Sequence, residues 1–143
     1  MVLVSIFGDN SAIRFGKEEV QTKGAWEWVA ANPDTDAIRY ILSGLDAQAT
    51  VTVSCSPTIP HLATITNVTV WGSNGAKTFS FNKYGVTDSS LTVISSGNLN
   101  TPTVHTELVD REKFYYQIAV GMVSGEKIYC AQITYQRDQH KNA

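Results

Sequence analysis

The chain has 143 residues, of which 43% are hydrophobic and 17% are charged, and its formal net charge is −2. This length suits one domain with a substantial core, so we expect residues 1–143 to form a single domain with a frayed tail at 137–143. The chain contains no basic block of the kind that binds nucleic acid. It also has no apolar run near the roughly 20 residues of a membrane-spanning helix. We therefore expect neither a nucleic-acid partner nor a membrane span.

The N-terminal residues MVLVSIFGDN lack the basic start and long apolar run of a Sec-type signal peptide. We expect a cytoplasmic protein, or one exported without a classical signal peptide. Cys55 and Cys130 are too few for a disulfide scaffold. Both lie in predicted strands, so two buried free thiols are the simpler expectation, and pairing between them stays open.

Residues 2–7 and 12–15 flank a Gly-Asp-Asn-Ser sequence and predict a first β-hairpin. A helix is the alternative for residues 1–7. Residues 16–36 contain Trp26 and Trp28 in polar surroundings, and we interpret them as a loop with a short helical turn or a short edge strand. Such loops often carry function.

Residues 63–71 and 76–81 predict a second hairpin, because Asn74-Gly75 is a type I′ turn pair. This register places Val70 against Phe79 on an apolar face. Ile65 falls on the other face, so it needs either a β-bulge that turns it inward or a covering segment.

Further strands are predicted at residues 37–42, 49–55, 91–94 and 103–109, with a loop at 95–102. The longest prediction is a hairpin over residues 113–136, with its turn at Ser124-Gly125. Its register gathers eight residues on one face, where they need a second layer: Phe114, Tyr116, Ile118, Val120, Tyr129, Ala131, Ile133 and Tyr135. Many short strands separated by turn signals indicate a single all-β sandwich.

The sequence offers little catalytic chemistry. His61, His105 and His140 form no metal-ligand pattern with each other or with the cysteines, so we expect no metal site. Nucleophile and nucleotide-binding motifs are absent, and Cys130 lies in mid-strand, a poor place for a nucleophile. We therefore expect a protein that is not an enzyme and needs no cofactor.

Aromatic residues in polar surroundings are the remaining candidates for function. An exposed indole can stack on the apolar face of a sugar while nearby polar groups bind its hydroxyls. Trp26, Trp28 and Trp71 are such candidates, and the alternative for each is that it caps the core. Trp71 is expected on an outer strand face, which favours a ligand or interface role.

Two stretches resemble the fungal immunomodulatory proteins, which are small mushroom proteins with lectin-like activity. TVWGSNGAKTFSFNKYGVTDSSLTVIS, with the loop at residues 84–88, is similar to a hairpin, loop and strand of that family. IYCAQITY is similar to the family's final strand. The resemblance implies an immunoglobulin-like or fibronectin-III-like antiparallel β-sandwich that is often dimeric and binds cell-surface carbohydrate. Its proposed sugar-binding residues would be Trp26, Asp36, Ser90 and Leu91.

We therefore expect a non-enzymatic, lectin-like protein with an immunomodulatory or defensive role, whose partners are cell-surface glycans. The expected ligand-binding residues are Trp26, Asp36, Trp71, Ser90 and Leu91. A homodimer is expected, through Trp71 or the apolar N-terminal strip. The alternative is a protein-binding module, such as a protease inhibitor or a defence toxin acting on a protein or lipid, that presents the segment 95–112.

Overall fold

The computed structural model describes residues 17–32 and 37–137. The predicted N-terminal hairpin, Asp36 and most of the predicted tail lie outside the described residues. Among the described residues no helix is long and apolar enough to cross a membrane. In chain order the strands are β1 (Glu19–Gly24), β2 (Val29–Ala30), β3 (Ile38–Ile41), β4 (Gly44–Ala47), β5 (Val51–Cys55), β6 (Thr64–Gly72), β7 (Thr78–Gly85), β8 (Leu91–Asn98), β9 (Thr103–Leu108), β10 (Phe114–Met122) and β11 (Lys127–Gln136), with a 3₁₀ turn at Ala25–Glu27.

The strands form two antiparallel sheets. The first sheet has the order β9-β6-β11-β4-β3, and β1 pairs with the second half of β11 beyond the end of β4. The second sheet has the order β2-β5-β10-β7-β8. The predicted antiparallel β-sandwich is therefore confirmed. The eight strands from β4 to β11 follow a jelly-roll order, in which most consecutive strands belong to different sheets.

The core lies between the two sheets and is built by alternation along each strand. Ile118 and Val120 of β10 and Phe81 of β7 enter it from the second sheet, and Val70 and Ile133 enter it from the first. All five side chains are at most 1% exposed. Burying a side chain of this kind stabilises the fold by about 1.5–3 kcal/mol, so these residues hold the sheets together.

The predicted hairpin over residues 113–136 is wrong. Strand β10 pairs with β5 and β7, whereas β11 pairs with β6, β4 and β1. The turn at Ser124-Gly125 therefore carries the chain from one sheet to the other. Most residues of the predicted apolar face are buried, but they meet across the sandwich. Tyr129 is 43% exposed instead, because the register shifts between Ile128 and Cys130.

The predicted hairpin around Asn74-Gly75 is wrong for the same reason. Strand β6 belongs to the first sheet and β7 to the second, so Val70 and Phe79 lie in one core without being strand partners. Ile65 is fully buried. The pairing of β6 with β11 is irregular between Asn67 and Ile65, so of the two alternatives for Ile65, the bulge that turns it inward is the one that the structure shows.

Three stretches contain more strand than their sequences indicated. Strand β1 lies in the predicted loop 16–36, β4 lies in the predicted connection between residues 42 and 49, and β8 continues through Asn98 where a loop over 95–102 was predicted. Polar residues dominate β1 and the end of β8. They are strands because neighbouring strands hydrogen-bond to them, which a local pattern does not reveal.

Candidate functional site

One end of the sandwich is formed by three connections, at residues 56–63, 86–90 and 109–113. Strand β10 pairs with β7 from Phe114 onward, but it pairs with β5 only from Ile118 onward. The chain departs from β10 after Cys55, where Pro57 follows and cannot donate to a ladder. Among the described strands, one edge of residues 114–117 therefore has no neighbour, and a cleft opens there.

The cleft has a volume of about 240 Å³. Hydroxyl, guanidinium and aromatic groups are all present in its lining. No described carboxylate forms an ion pair with the Arg111 guanidinium, so its N–H donors remain available to a ligand. The lining residues are Ser56, Pro57, Thr58, Ile59, Val86, Arg111, Phe114, Tyr115 and Tyr116.

Tyr84 and Tyr115 form a stacked pair at the mouth of this cleft, which we call the tyrosine platform. They are direct cross-strand neighbours on β7 and β10, with ring centroids 5.3 Å apart and planes inclined by 12°. The hydroxyl of Tyr84 donates to Gln117 Oε1 at 3.0 Å. Tyr115 is 48% exposed, and because Tyr84 covers one of its faces, the cleft borders the other.

The connection at residues 86–90 is folded tightly beside the platform. Ser90 N–H donates to Asp88 Oδ1 at 3.0 Å, and hydrogen bonds from the backbone and then the side chain of Ser90 lower the pKa of Asp88. A methyl group at Gly85 would lie 2.5 Å from Asp88 Oδ1, so the turn leaves no room for a larger residue. Leu91, which is 54% exposed, pairs with Tyr84.

Charged and polar groups between the sheets support the floor of the cleft. Lys83 Nζ is 3.0 Å from Glu107 Oε2 and lies 4.4 Å from the centre of the Phe114 ring. Asp110 N–H donates to the Tyr116 hydroxyl at 3.1 Å, and burial raises the pKa of Tyr116. These contacts fix the start of β10, where Tyr115 projects outward.

Among the described residues, one group of three side chains could hold a metal ion: His61, Asp110 and Glu112, with ligand atoms within 4.8 Å of one another. In the sequence, only histidines and cysteines were considered as metal ligands, so Asp110 and Glu112 were missed. His61 Nδ1 already accepts a hydrogen bond from Arg111 N–H, and Asp110 Oδ1 accepts one from Glu112 N–H. In the structure these groups therefore act as caps for the connection at residues 109–113.

The structure does not bring all the predicted site residues together. Trp26 is 66% exposed and stacks on Tyr40 of β3, with centroids 5.6 Å apart, near the sheet edges formed by β2 and β3. Trp71 is on the outer face of the first sheet, where its Nε1–H donates to Gln132 Oε1. Ser90 immediately precedes β8 and Leu91 is its first residue, so both lie at the opposite edge of the second sheet from β2.

The two tyrosines of the platform were not among the predicted site residues. Their sequence signals were the loop that begins at Tyr84 and the position of Tyr115 on the more polar face of its strand. Neither signal shows that β7 pairs with β10, and only this strand pairing brings the two tyrosines together.

No protein-family model matches the chain, and no curated protein matches it. One solved structure of similar overall shape is described as the C-terminal CBM6 of LamC, a marine laminarinase from Zobellia galactanivorans. It is 13% identical, the match covers 81% of this chain and 99% of that chain, and the TM-score is 0.49. At this level of similarity, nothing about the ligand of this chain follows from the match.

Proposed function

We propose that the protein is a non-enzymatic, carbohydrate-binding protein whose ligand rests on the tyrosine platform at the mouth of the cleft. The observation that carries this proposal is the stacked Tyr84–Tyr115 pair, half-exposed and placed beside hydroxyl and guanidinium donors. An aromatic face supplies apolar contact area for the C–H groups of a sugar ring, and a few polar groups orient its hydroxyls. Ser56, Thr58 and Arg111 are placed to do the latter.

The platform is arranged before any ligand arrives. Tyr84 is fixed by its hydrogen bond to Gln117, and Tyr115 is fixed by its stacking on Tyr84. A side chain that is already ordered loses little conformational entropy on binding, whereas a mobile one would cost about 0.5–1.5 kcal/mol. This favours the platform as the first contact for a sugar ring in a shallow site.

The proposal extends to cell-surface glycans as the ligands, with immunomodulation or defence as the biological outcome. The resemblance to fungal immunomodulatory proteins supports this extension. A single shallow site binds weakly, so useful avidity requires at least two sites in one assembly. A homodimer would supply them.

A glycan array with the wild-type protein and the variant Tyr115→Ala tests the proposal. We expect wild-type binding to one or more glycans and at least a tenfold loss in the variant, which corresponds to about 1.4 kcal/mol of lost contact. Tyr129→Ala is the matched control, because Tyr129 is 43% exposed on the other sheet and Tyr115 is 48% exposed. A wild-type protein that binds no glycan above background would refute the proposal.

A further inference from the structure

We infer that the ligand is an uncharged linear glycan, bound along its length in a groove that runs from the tyrosine platform across the outer face of the second sheet. This inference rests on the proposed function and names the class of glycan. The observation behind it is a row of outward-facing residues on β10 and a second row on β7, which extend from the platform along the two strands. We call this surface the sheet groove.

The sheet groove has a defined length. Alternate residues of β10 point outward from Tyr115 to Gly121, while the residues between them enter the core. Six steps along a strand span about 20 Å, which is room for several sugar rings placed end to end. The outward row on β10 is Tyr115, Gln117, Ala119 and Gly121, and the row beside it on β7 is Tyr84, Asn82, Ser80 and Thr78.

The far end of the sheet groove is a shallow trough of about 250 Å³. Its outward side chains are all small: the hydroxyl residues Thr52, Thr78, Ser80 and Ser96, together with Ala119 and Gly121. A methyl group placed on Gly121 would meet no atom within 4 Å. The sheet surface is therefore open there, and hydroxyl groups line it as donors and acceptors for the hydroxyls of a sugar chain.

An unsatisfied polar group lies between the platform and the trough. Asn82 is 5% exposed, and its Nδ2 donates to Ser80 Oγ and to Gln117 Oε1, each at 3.2 Å. Its Oδ1 has no hydrogen-bond partner among the described residues. Leaving a buried acceptor without a donor is unfavourable. Because this oxygen is also closed to solvent, a hydroxyl of a bound chain would reach it only after the neighbouring side chains shift.

The absence of charged residues from the sheet groove favours uncharged linear polymers over charged ones. None of the residues in its two rows or in the trough carries a charge, so beyond the Arg111 guanidinium in the cleft at the platform end, a polyanion such as nucleic acid or an acidic polysaccharide would find no counter-charge along the groove. An extended peptide binds a sheet mainly by adding a strand at an edge. Beyond Gln117 the backbone groups of β10, and those of β7, are already paired on both sides, so only side-chain hydroxyls and amides remain for a ligand along that part of the groove.

Isothermal titration with neutral linear gluco-, manno- and xylo-oligosaccharides, from disaccharide to octasaccharide, tests the inference. We expect the affinity for at least one series to rise with chain length by about tenfold or more, because each ring added along the groove brings new contacts. Oligomers of uronic acids serve as the charged comparison and are expected to bind more weakly than neutral chains of equal length.

Gly121→Trp is the blocking variant, since its side chain would project into open space above the trough. It is expected to abolish the gain with chain length and to leave disaccharide affinity at the platform unchanged. Thr52→Tyr, from the neighbouring strand, provides a second block should Gly121→Trp fail to fold. Val104→Tyr adds similar bulk to an exposed position of the other sheet and is expected to change nothing.

Three results overturn the inference and leave the proposed function standing. The first is disaccharide binding that does not strengthen with chain length, and the second is tighter binding of the uronic acid oligomers. The third is a length dependence that survives both blocking variants. Failure of every saccharide to bind would remove the proposed function together with the inference.

Discussion

His105 is a titratable side chain that the fold buries between its two sheets. It is 7% exposed, its ring centre lies 5.4 Å from that of Phe81, and its Nδ1 is 3.2 Å from Ser95 Oγ. Burial lowers the pKa of His105 below 6.5, and the negative charge of Glu107 opposes that shift. The folded protein therefore favours the neutral imidazole more strongly than the unfolded chain does.

This shift predicts a loss of stability in mildly acidic solution. As the pH falls through 6.5, the unfolded chain takes up the proton first, so the contribution of His105 is complete above this value and is lost as the pH falls toward the lower folded pKa. Melting temperatures across this range should decline in the wild type. His105→Gln should flatten the decline, and an unchanged slope in this variant would contradict the assignment.

At the scale of the strand, alternation along the sequence identifies which residues are buried but not which strands pair. Ile118 and Ile133 are fully buried, as the pattern predicts, yet they belong to different sheets. A period of two looks the same whether the next strand lies beside its predecessor or across the core from it. The fold class could therefore be predicted, while the two hairpins could not.

The turn at Asn74-Gly75 shows the same limit. Its local chemistry is present, since Lys77 N–H donates to Asn74 O and Ala76 N–H donates to Asn74 Oδ1. The turn nevertheless joins two sheets and closes no hairpin. The candidate site was predictable in part: the family resemblance indicated Ser90 and Leu91 beside Tyr84, but Tyr115 joins them only through strand pairing.

Two substitutions distinguish the observed pairing from the predicted hairpin. Ile118→Ala should lower the free energy of unfolding by about 2–5 kcal/mol, because it opens a cavity between the sheets. Tyr129→Ala should cost less than about 1 kcal/mol, because Tyr129 is 43% exposed. In the predicted hairpin both residues share one apolar face and both would be costly. Urea denaturation provides the measurement, and a large cost for Tyr129→Ala would contradict the structure.

At the scale of the whole molecule, the segment 95–112 is not a presenting loop. It contains the end of β8 and all of β9, and Leu99 and Val109 anchor it in the core. Asn100, at a φ of +64°, accepts a hydrogen bond from Gly72 N–H and donates one to Gly72 O. A protein-binding role would therefore need a different surface from the one that the sequence suggested.

The predicted homodimer is best placed on the outer face of the first sheet, where Trp71 is 37% exposed. A two-fold dimer through this face would leave both sheet grooves directed outward on opposite sides, able to bridge two glycans. Light scattering should give about twice the monomer mass of 15.6 kDa, and Trp71→Ser should give a folded monomer.

A wild-type mass near 15.6 kDa would contradict the dimer. Deletion of residues 1–7 is the comparison for the interface. If that deletion yields a folded monomer and Trp71→Ser does not, the outer face of the first sheet is the wrong surface.

The position of β11 in the first sheet has a consequence for biosynthesis. Strands β1, β4 and β6 all pair with β11, although β11 follows every other described strand in the chain. A ribosome adds about 5–20 residues per second, so these three strands wait, with unpaired edges, until Lys127–Gln136 emerges. Unpaired strand edges are templates for aggregation. The nascent protein therefore carries these exposed edges until late in its synthesis, and any truncation that removes β11 leaves three strands without their common neighbour.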